Sequence, residues 1–519
     1  MAMIKARQPG LFWLGLLLAL ACWPFYLWLT LRGDFKGLLA DSYIYLAMAR
    51  EFASGLATDS RLLNFMFDSY PFPPLYPLSL ALFGAGGQSP IATYTLNAAL
   101  MSFVVGLAYV WQRAVGLPLT AALLSALLLA IMPVTLLSAM NVLSEPLYVL
   151  LTMGAAIRLS GARLSSRHWR DAAVLVGLAT LTRSAGLAAL AALVWVWVLR
   201  RGWQSSRWGL LPALVLPGVW GLIQHCAGFV TYGAPAVFDK GVLATISVNL
   251  HALAVAGVGL FDPIGARHSA ILVGSLAVVA LPVWGVRLMR ARFDAWYLLI
   301  YAGLLLLWPH PAHAARFLFA VLPLILVYAA LGGEWVARFT IASGMRNALT
   351  ALPPLALLIC ALPGSLGIIT TVLGESRPEY LAAVRAPFWY GVPPGERPAL
   401  VDFSVRAEHV MRAIGELPPE ACVATGTIPA ESALFYGRRQ VLDLARVRRS
   451  PAAVNQILAA CPYVLMAAAL PSPALPGIGP MYPFQMIADR LQPIWIERSP
   501  TLGSNSPVVL MLAKVGPPP

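Results

Sequence analysis

Charge is what this chain is short of. Only 11% of its 519 residues are Asp, Glu, Lys or Arg, less than half the roughly 25% of a soluble globular domain. Acids are scarcer than bases, 22 against 36, and four of those bases are lysines. Cysteine is scarce too: Cys22, Cys226, Cys360, Cys422 and Cys461 have no metal-ligand spacing, which argues against a zinc-ribbon type of site. No repeat of solenoid period is visible. The formal charge of +14 and the pI near 9.8 do not indicate nucleic acid, because no polar segment carries a Lys/Arg stripe interleaved with aromatics. The bases sit between apolar runs, where they set membrane orientation.

What fills the chain instead is apolar: 59% hydrophobic residues and a mean hydropathy of +0.75. A helix needs about 20 predominantly apolar residues to span the hydrocarbon. Lys5 and Arg7 precede a run from Leu11 to Leu31 that has the outline of a signal peptide. Ala19-Leu20-Ala21-Cys22 hints at a lipoprotein site, with Ala where Leu is usual three before the Cys. The run continues through Trp23, Phe25, Tyr26 and Trp28, which predicts an uncleaved first membrane helix.

Further apolar runs cover about 93–111, 117–137, 145–157, 171–182, 185–199, 208–224, 269–286, 295–308, 317–332 and 348–372. With the first, they predict about eleven membrane helices. Several are short, and the pair around Arg183 reads as two half-helices of a bent hairpin. With the N-terminus inside, the inner connections hold fifteen Lys and Arg, and the outer ones eight over far more loop sequence. That asymmetry fits the positive-inside rule, and an odd number of spans places the C-terminal residues outside.

Two regions are expected: a transmembrane domain over 1–375, with an outer loop at about 32–76, and an extracytoplasmic α/β domain over 376–519. The second changes character. From about 373 onward lie 11 of the 22 acids and 13 of the 36 bases. Val405–Ile414 and Ala430–Tyr436 read as helices. Cys422–Thr425, Val441–Leu444, Tyr463–Met466, Ile494–Glu497 and Val508–Lys514 read as short strands. If this domain lies outside, Cys422 and Cys461 can pair as a disulfide.

An ionisable group at membrane depth costs about 2.5–3.5 kcal/mol on insertion scales and marks a functional site by default. The inner-loop arginines follow from topology, so the outer-facing charges are the informative ones. Asp41, in Ala40-Asp41-Ser42-Tyr43-Ile44-Tyr45, is either an N-cap or a general base at the bilayer surface. Glu145, in Ser144-Glu145-Pro146-Leu147, is either an acid favoured at a helix start or a site residue tucked between apolar spans. Arg183 stands at an outer hairpin turn, where snorkelling is the simple explanation. Arg316 opens a helix, where a cation opposes the dipole by about 0.3–1 kcal/mol and calls for a compensating anion. His310 and His313 have no third partner of clear zinc spacing.

Five features, in this order, resemble the C-type (GT-C) membrane glycosyltransferases that use polyprenyl-phosphate sugars. That group includes protein O-mannosyltransferases, aminoarabinose transferases of lipid A and lipopolysaccharide galacturonosyltransferases. The features are Asp41 followed by Tyr45 and Ala49; Tyr70-Pro71-Phe72-Pro73-Pro74-Leu75-Tyr76-Pro77-Leu78; Ser144-Glu145-Pro146-Leu147; Leu181-Thr182-Arg183 with Gly186; and Arg316-Phe317-Leu318 reaching Pro323. The resemblance covers roughly residues 1–375.

It implies an inverting sugar transfer at the outer face of the plasma (bacterial inner) membrane. The donor would be a polyprenyl-phosphate sugar, the acceptor a lipid, glycan or protein, with membrane lipids as surroundings. Asp41 would be the base and Glu145 a second acid orienting a substrate. Arg183 and Arg316 would hold the departing lipid phosphate, with Tyr45, Tyr76 and His313 completing the substrate-binding set. Many relatives carry an acidic pair at the first position, whereas Asp41 is followed by Ser42, so no metal ligand is assigned and a divalent cation stays open as cofactor. Two other classes compete: a transporter or flippase, which would favour internal repeats and broken midplane helices, and a non-catalytic assembly subunit, in which the scattered charges would not converge.

Overall fold

The computed structural model describes residues 9–32, 40–54, 72–84, 89–161, 164–204, 208–226, 241–260, 266–308, 314–339, 343–374, 376, 397–425, 433, 437, 439–443, 451–468, 488–499 and 508–516. The chain divides into two compact units. The first comprises Met1–Thr30, Tyr70–Tyr76 and Tyr94–Thr371; the second comprises Leu31–Ser69, Pro77–Thr93 and Val372–Pro519.

The first unit is helical. Its elements are α1 (Pro9–Leu31), α4 (Pro90–Ala114), α5 (Leu119–Ile131), α6 (Pro133–Met140), α7 (Glu145–Arg158), α8 (Ser166–Thr182), α9 (Gly186–Leu199), α10 (Leu211–Cys226), α11 (Val242–Gly259), α12 (Ala266–Met289), α13 (Phe293–Leu306), α14 (Ala314–Phe319), α15 (Leu322–Ala337) and α16 (Ser343–Gly374). Preceding α4 are α2 (Ala40–Ala53) and α3 (Leu75–Leu82). Among the described residues, five helices are long and apolar enough to cross a membrane: α1, α4, α11, α12 and α16. The α5–α6 pair makes a sixth if its bent halves are one span. Four more apolar helices (α9, α10, α13 and α15) have 14–16 residues, about 21–24 Å at 1.5 Å per residue. The expectation of about eleven spans counted such short runs as well.

Large apolar side chains stand exposed along these helices, among them Leu243, Ile271, Val278, Leu281 and Ile359. Such a surface suits lipid, which is as apolar as leucine itself. These features make the chain an integral membrane protein of the polytopic helical class.

Several breaks have local causes. Met132 precedes Pro133 and takes an extended conformation (φ −54°, ψ 139°), as the residue before proline is pushed to do; α5 and α6 meet there at 50°. Helix α12 lies against α15 at Gly332, where an added Cβ would come 2.8 Å from the Val279 carbonyl oxygen. Helix α11 was not among the runs read from sequence, because Ser247, Asn249 and His251 interrupt it. Its midpoint, Asn249, lies against the C-terminal end of α13.

The hairpins α7–α8 and α8–α9 give this unit two distinct ends. At one, Arg158 pairs with Asp171, and Arg200 and Arg292 both donate to the Gly161 carbonyl, at 3.1 and 3.0 Å. The same end holds Arg287 on Asp294 and both Arg338 and Arg346 on Glu334. At the other end α7 begins, α8 finishes and α14 starts.

In the second unit, a five-stranded sheet is formed by β1 (Cys422–Thr425), β2 (Gln440–Asp443), β3 (Tyr463–Ala468), β4 (Leu491–Ser499) and β5 (Val508–Val515), in the order β2-β1-β3-β5-β4. β1 is parallel to β2 and β3, while β5 is antiparallel to β3 and β4. Val423, Val464, Leu465, Leu510 and Leu512 are fully buried in it. Two helices accompany the sheet: α17 (Arg397–Ala413), which packs on β4 and β5, and α18 (Pro451–Ala460). A disulfide joins Cys422 at the start of β1 to Cys461 just before β3, with a Cα–Cα separation of 4.5 Å. The helix expected over Ala430–Tyr436 lies outside the described residues except at Ala433.

Candidate functional site

The first unit concentrates its buried charge where α7 begins. Asn141, after α6, is extended; three residues later Ser144 takes the N-cap position, and Pro146 occupies the first turn of α7. Proline suits that turn because its missing N–H would have no helical partner. Glu145 is thereby set at the very start of the helix, 1% exposed. Its carboxylate does more than complement the helix dipole. One oxygen, Oε1, accepts from Arg183 Nη1 at 2.7 Å and from Arg316 Nε at 2.5 Å.

Arg183 reaches this point from the end of α8. Its backbone N–H still donates to Ala179 O at 3.0 Å while its own conformation is extended (φ −151°, ψ 144°), which turns the chain out of the helix. The turn closes when the Gly186 N–H donates to Arg183 O at 2.8 Å. Only glycine fits there: a Cβ on Gly186 would lie 2.5 Å from Thr180 Cα and 2.6 Å from Thr180 N. Arg183 Nη1 also donates to Ser144 Oγ at 3.1 Å, tying the two helix ends together.

Arg316 sits in the short helix α14, 3% exposed. The anion that a cation near a helix start calls for is Glu145, 171 residues away in sequence. The Phe317 ring faces both guanidiniums, 5.8 Å from Arg183 Cζ and 5.9 Å from Arg316 Cζ at its centroid. The Tyr301 hydroxyl fixes that segment by donating to Phe317 O at 3.1 Å. Glu145 thus joins Arg183 and Arg316 as a trio at one buried point, with the Phe317 ring beside both guanidiniums.

Of the other residues singled out from sequence, Tyr76 is fully buried in the first unit. Asp41 and Tyr45 belong to the second: Asp41 lies in the first turn of α2, half-buried, and Tyr45 is buried. His313 lies outside the described residues. Among the described residues, no three His, Cys, Asp or Glu side chains are grouped so as to hold a metal ion.

Sequence reasoning passed over the residues that support the trio. Phe293, Tyr297 and Tyr301 repeat every fourth residue on one face of α13, and the Tyr297 hydroxyl meets that of Tyr148 at 2.8 Å. The spacing was available as a signal, but in an apolar run it reads as ordinary packing. Asn97 and Asn249 were equally inconspicuous, as single polar residues inside apolar stretches.

No protein-family model matches this sequence, and no curated protein matches it. Solved structures do match in fold. The apo structure of ArnT from Cupriavidus metallidurans is similar over 97% of this chain and 98% of its own, at a TM-score of 0.50 and 14% identity. A second structure of that ArnT, bound to undecaprenyl phosphate, matches over the same shares at a TM-score of 0.49 and 14% identity. The fold is thus similar to that of an aminoarabinose transferase of the C-type glycosyltransferase group.

Proposed function

We propose that this chain is a membrane glycosyltransferase that moves a sugar from a polyprenyl-phosphate donor to a lipid, glycan or protein acceptor, with inversion at the sugar. The observation that carries the proposal is the meeting of Arg183 and Arg316 on Glu145. Three charged residues from separate parts of the sequence share one buried point, in a fold similar to that of ArnT. ArnT has been captured with undecaprenyl phosphate, and the proposal extends that class of donor to this chain.

The chemistry suits the trio. As the bond to the sugar breaks, the lipid phosphate gains negative charge, and fixed cations in a dry site stabilise that gain. In this reading Arg183 and Arg316 receive the phosphate. Glu145 holds the two guanidiniums at a set spacing and offsets part of their mutual repulsion. Asp41 is the proposed base that takes the proton from the attacking hydroxyl, a role that comes from the family resemblance. Tyr45, Tyr76 and His313 are proposed to bind substrate.

Transfer is proposed at the outer face of a bacterial inner membrane, with the N-terminus cytoplasmic, residues 1–375 as the membrane domain and 376–519 as an outer domain. The arginine-rich end of the first unit, opposite the trio, supports that orientation. The Cys422–Cys461 disulfide supports it independently, because disulfides persist in oxidising compartments and are rare in the cytosol.

The test is transfer by purified protein in detergent, offered radiolabelled polyprenyl-phosphate sugars one at a time. At least one donor should label an acceptor fraction. Arg316→Ala should impair donor use more than acceptor use, and Asp41→Asn should abolish transfer in a folded protein. No transfer from any donor, with undecaprenyl phosphate also failing to bind, would refute the assignment.

A further inference from the structure

Two helix ends flank the trio, and each is closed by a buried carboxamide. Asn97, on α4 and fully buried, donates through Nδ2 to the carbonyl oxygens of Ser138 (3.3 Å), Ala139 (2.7 Å) and Asn141 (2.7 Å). These close α6 and the extended step after it, four residues before Glu145. Asn249, on α11 and 3% exposed, donates through Nδ2 to Leu306 O (2.9 Å) and Trp308 O (2.7 Å). These close α13, where the Trp308 ring packs edge-on against Phe317, the neighbour of Arg316, at 5.7 Å.

The last four carbonyls of a helix have no partner within it. In an apolar interior an unpaired carbonyl costs several kcal/mol, so such an end frays or finds a donor. A carboxamide nitrogen brings two N–H groups on a short side chain, enough to bind adjacent carbonyls at once. We propose that Asn97 and Asn249 are positioning residues for the trio. Asn97 fixes the backbone that presents Glu145, and Asn249 fixes Trp308, whose ring packs against Phe317 beside Arg316, so the carboxylate and the guanidinium meet without searching. Their effect on donor binding rests on the function proposed above; their effect on the Glu145–Arg316 pairing does not.

The experiment has two arms. In the first, thermal unfolding in detergent is measured for Asn249→Leu, Asn97→Leu and Glu145→Gln, and for each asparagine change combined with Glu145→Gln. Positioning predicts that each double variant loses clearly less in Tm than its two single changes added together; strict additivity at both sites overturns the proposal. If a leucine variant fails to fold, Asn249→Ser and Asn97→Ser, which retain one donor, take its place in the same cycles.

In the second arm, undecaprenyl phosphate binding is titrated. Asn249→Leu should weaken it about tenfold or more, as expected when a contact group is misplaced, and Asn249→Ser should recover most of that loss. Unchanged binding in a folded Asn249→Leu protein overturns the proposal. Failure of the unaltered protein to bind undecaprenyl phosphate counts against the proposed function instead, and the unfolding cycles then decide the positioning role alone.

Discussion

Each end of the helical unit buries a carboxylate, and the two are held on different terms. Asp294 receives both bonds of one guanidinium, from Arg287 Nε at 2.9 Å and Nη2 at 2.7 Å, and it accepts from the Tyr328 hydroxyl. That arrangement is one anion to one cation, in the parallel two-bond geometry that favours strong pairing. Glu145 instead offers a single oxygen to two guanidiniums from two different elements. Two arginines also meet Glu334 at the Asp294 end, but those two are about half exposed (47% and 48%), whereas Arg183 and Arg316 are 12% and 3% exposed. The Asp294 pair is a brace between α12, α13 and α15, whereas the Glu145 trio is the seat proposed above for the donor phosphate.

The sharpest break in that contrast comes from neutralising each acid. Glu145→Gln and Asp294→Asn should each cost roughly 3–5 kcal/mol of stability, because each leaves buried cationic charge without its anion. Transfer should collapse only in Glu145→Gln. Unfolding curves read beside turnover of the surviving folded protein would check this, and equal losses of turnover per folded molecule would erase the distinction between seat and brace.

A smaller effect is expected from glycine. Gly186→Ala forces a collision with the Thr180 backbone and should cost about 1–3 kcal/mol, with a raised KM for donor as Arg183 shifts. Gly332→Ala, at the α12–α15 crossing, should cost a similar amount with donor KM unchanged. Steady-state kinetics on the two variants would separate turn from crossing. Smallest of all, Phe317→Leu removes the ring that faces both guanidiniums. It should weaken donor binding by about 0.5–1 kcal/mol, measurable by titration.

Some of this was legible in the sequence. Glu145, Arg183 and Arg316 stood out because the positive-inside rule accounts for arginines at inner loops and leaves these three unexplained. The five strands were readable from short β-branched and aromatic runs, and Cys422–Thr425 was read with its observed limits. Arg287 counts in sequence only among the bases of the inner connections, although it forms a buried pair with Asp294; loop charge and braced charge look the same in one dimension. Helix α11 escaped because Asn249 weakens its run, and that polarity is satisfied only by carbonyls 57 and 59 residues away. Helix α18 is amphipathic and short, with its beginning hidden behind the arginines at 446–449. The Cys422–Cys461 pairing, in contrast, was named from sequence as open to an outer domain, and the disulfide is present.

The crossing at Gly332 bears on how the protein survives extraction. Helix α12 is among the least covered of the long apolar helices, the kind of element that a change of detergent would be expected to loosen. Yet at Gly332 it meets α15 main chain to main chain. Attraction at such a crossing comes from close atomic contact rather than from the expulsion of water, so exchanging one oily surrounding for another hardly alters it. The helix most given over to lipid is thus anchored by the contact least dependent on which lipid is there.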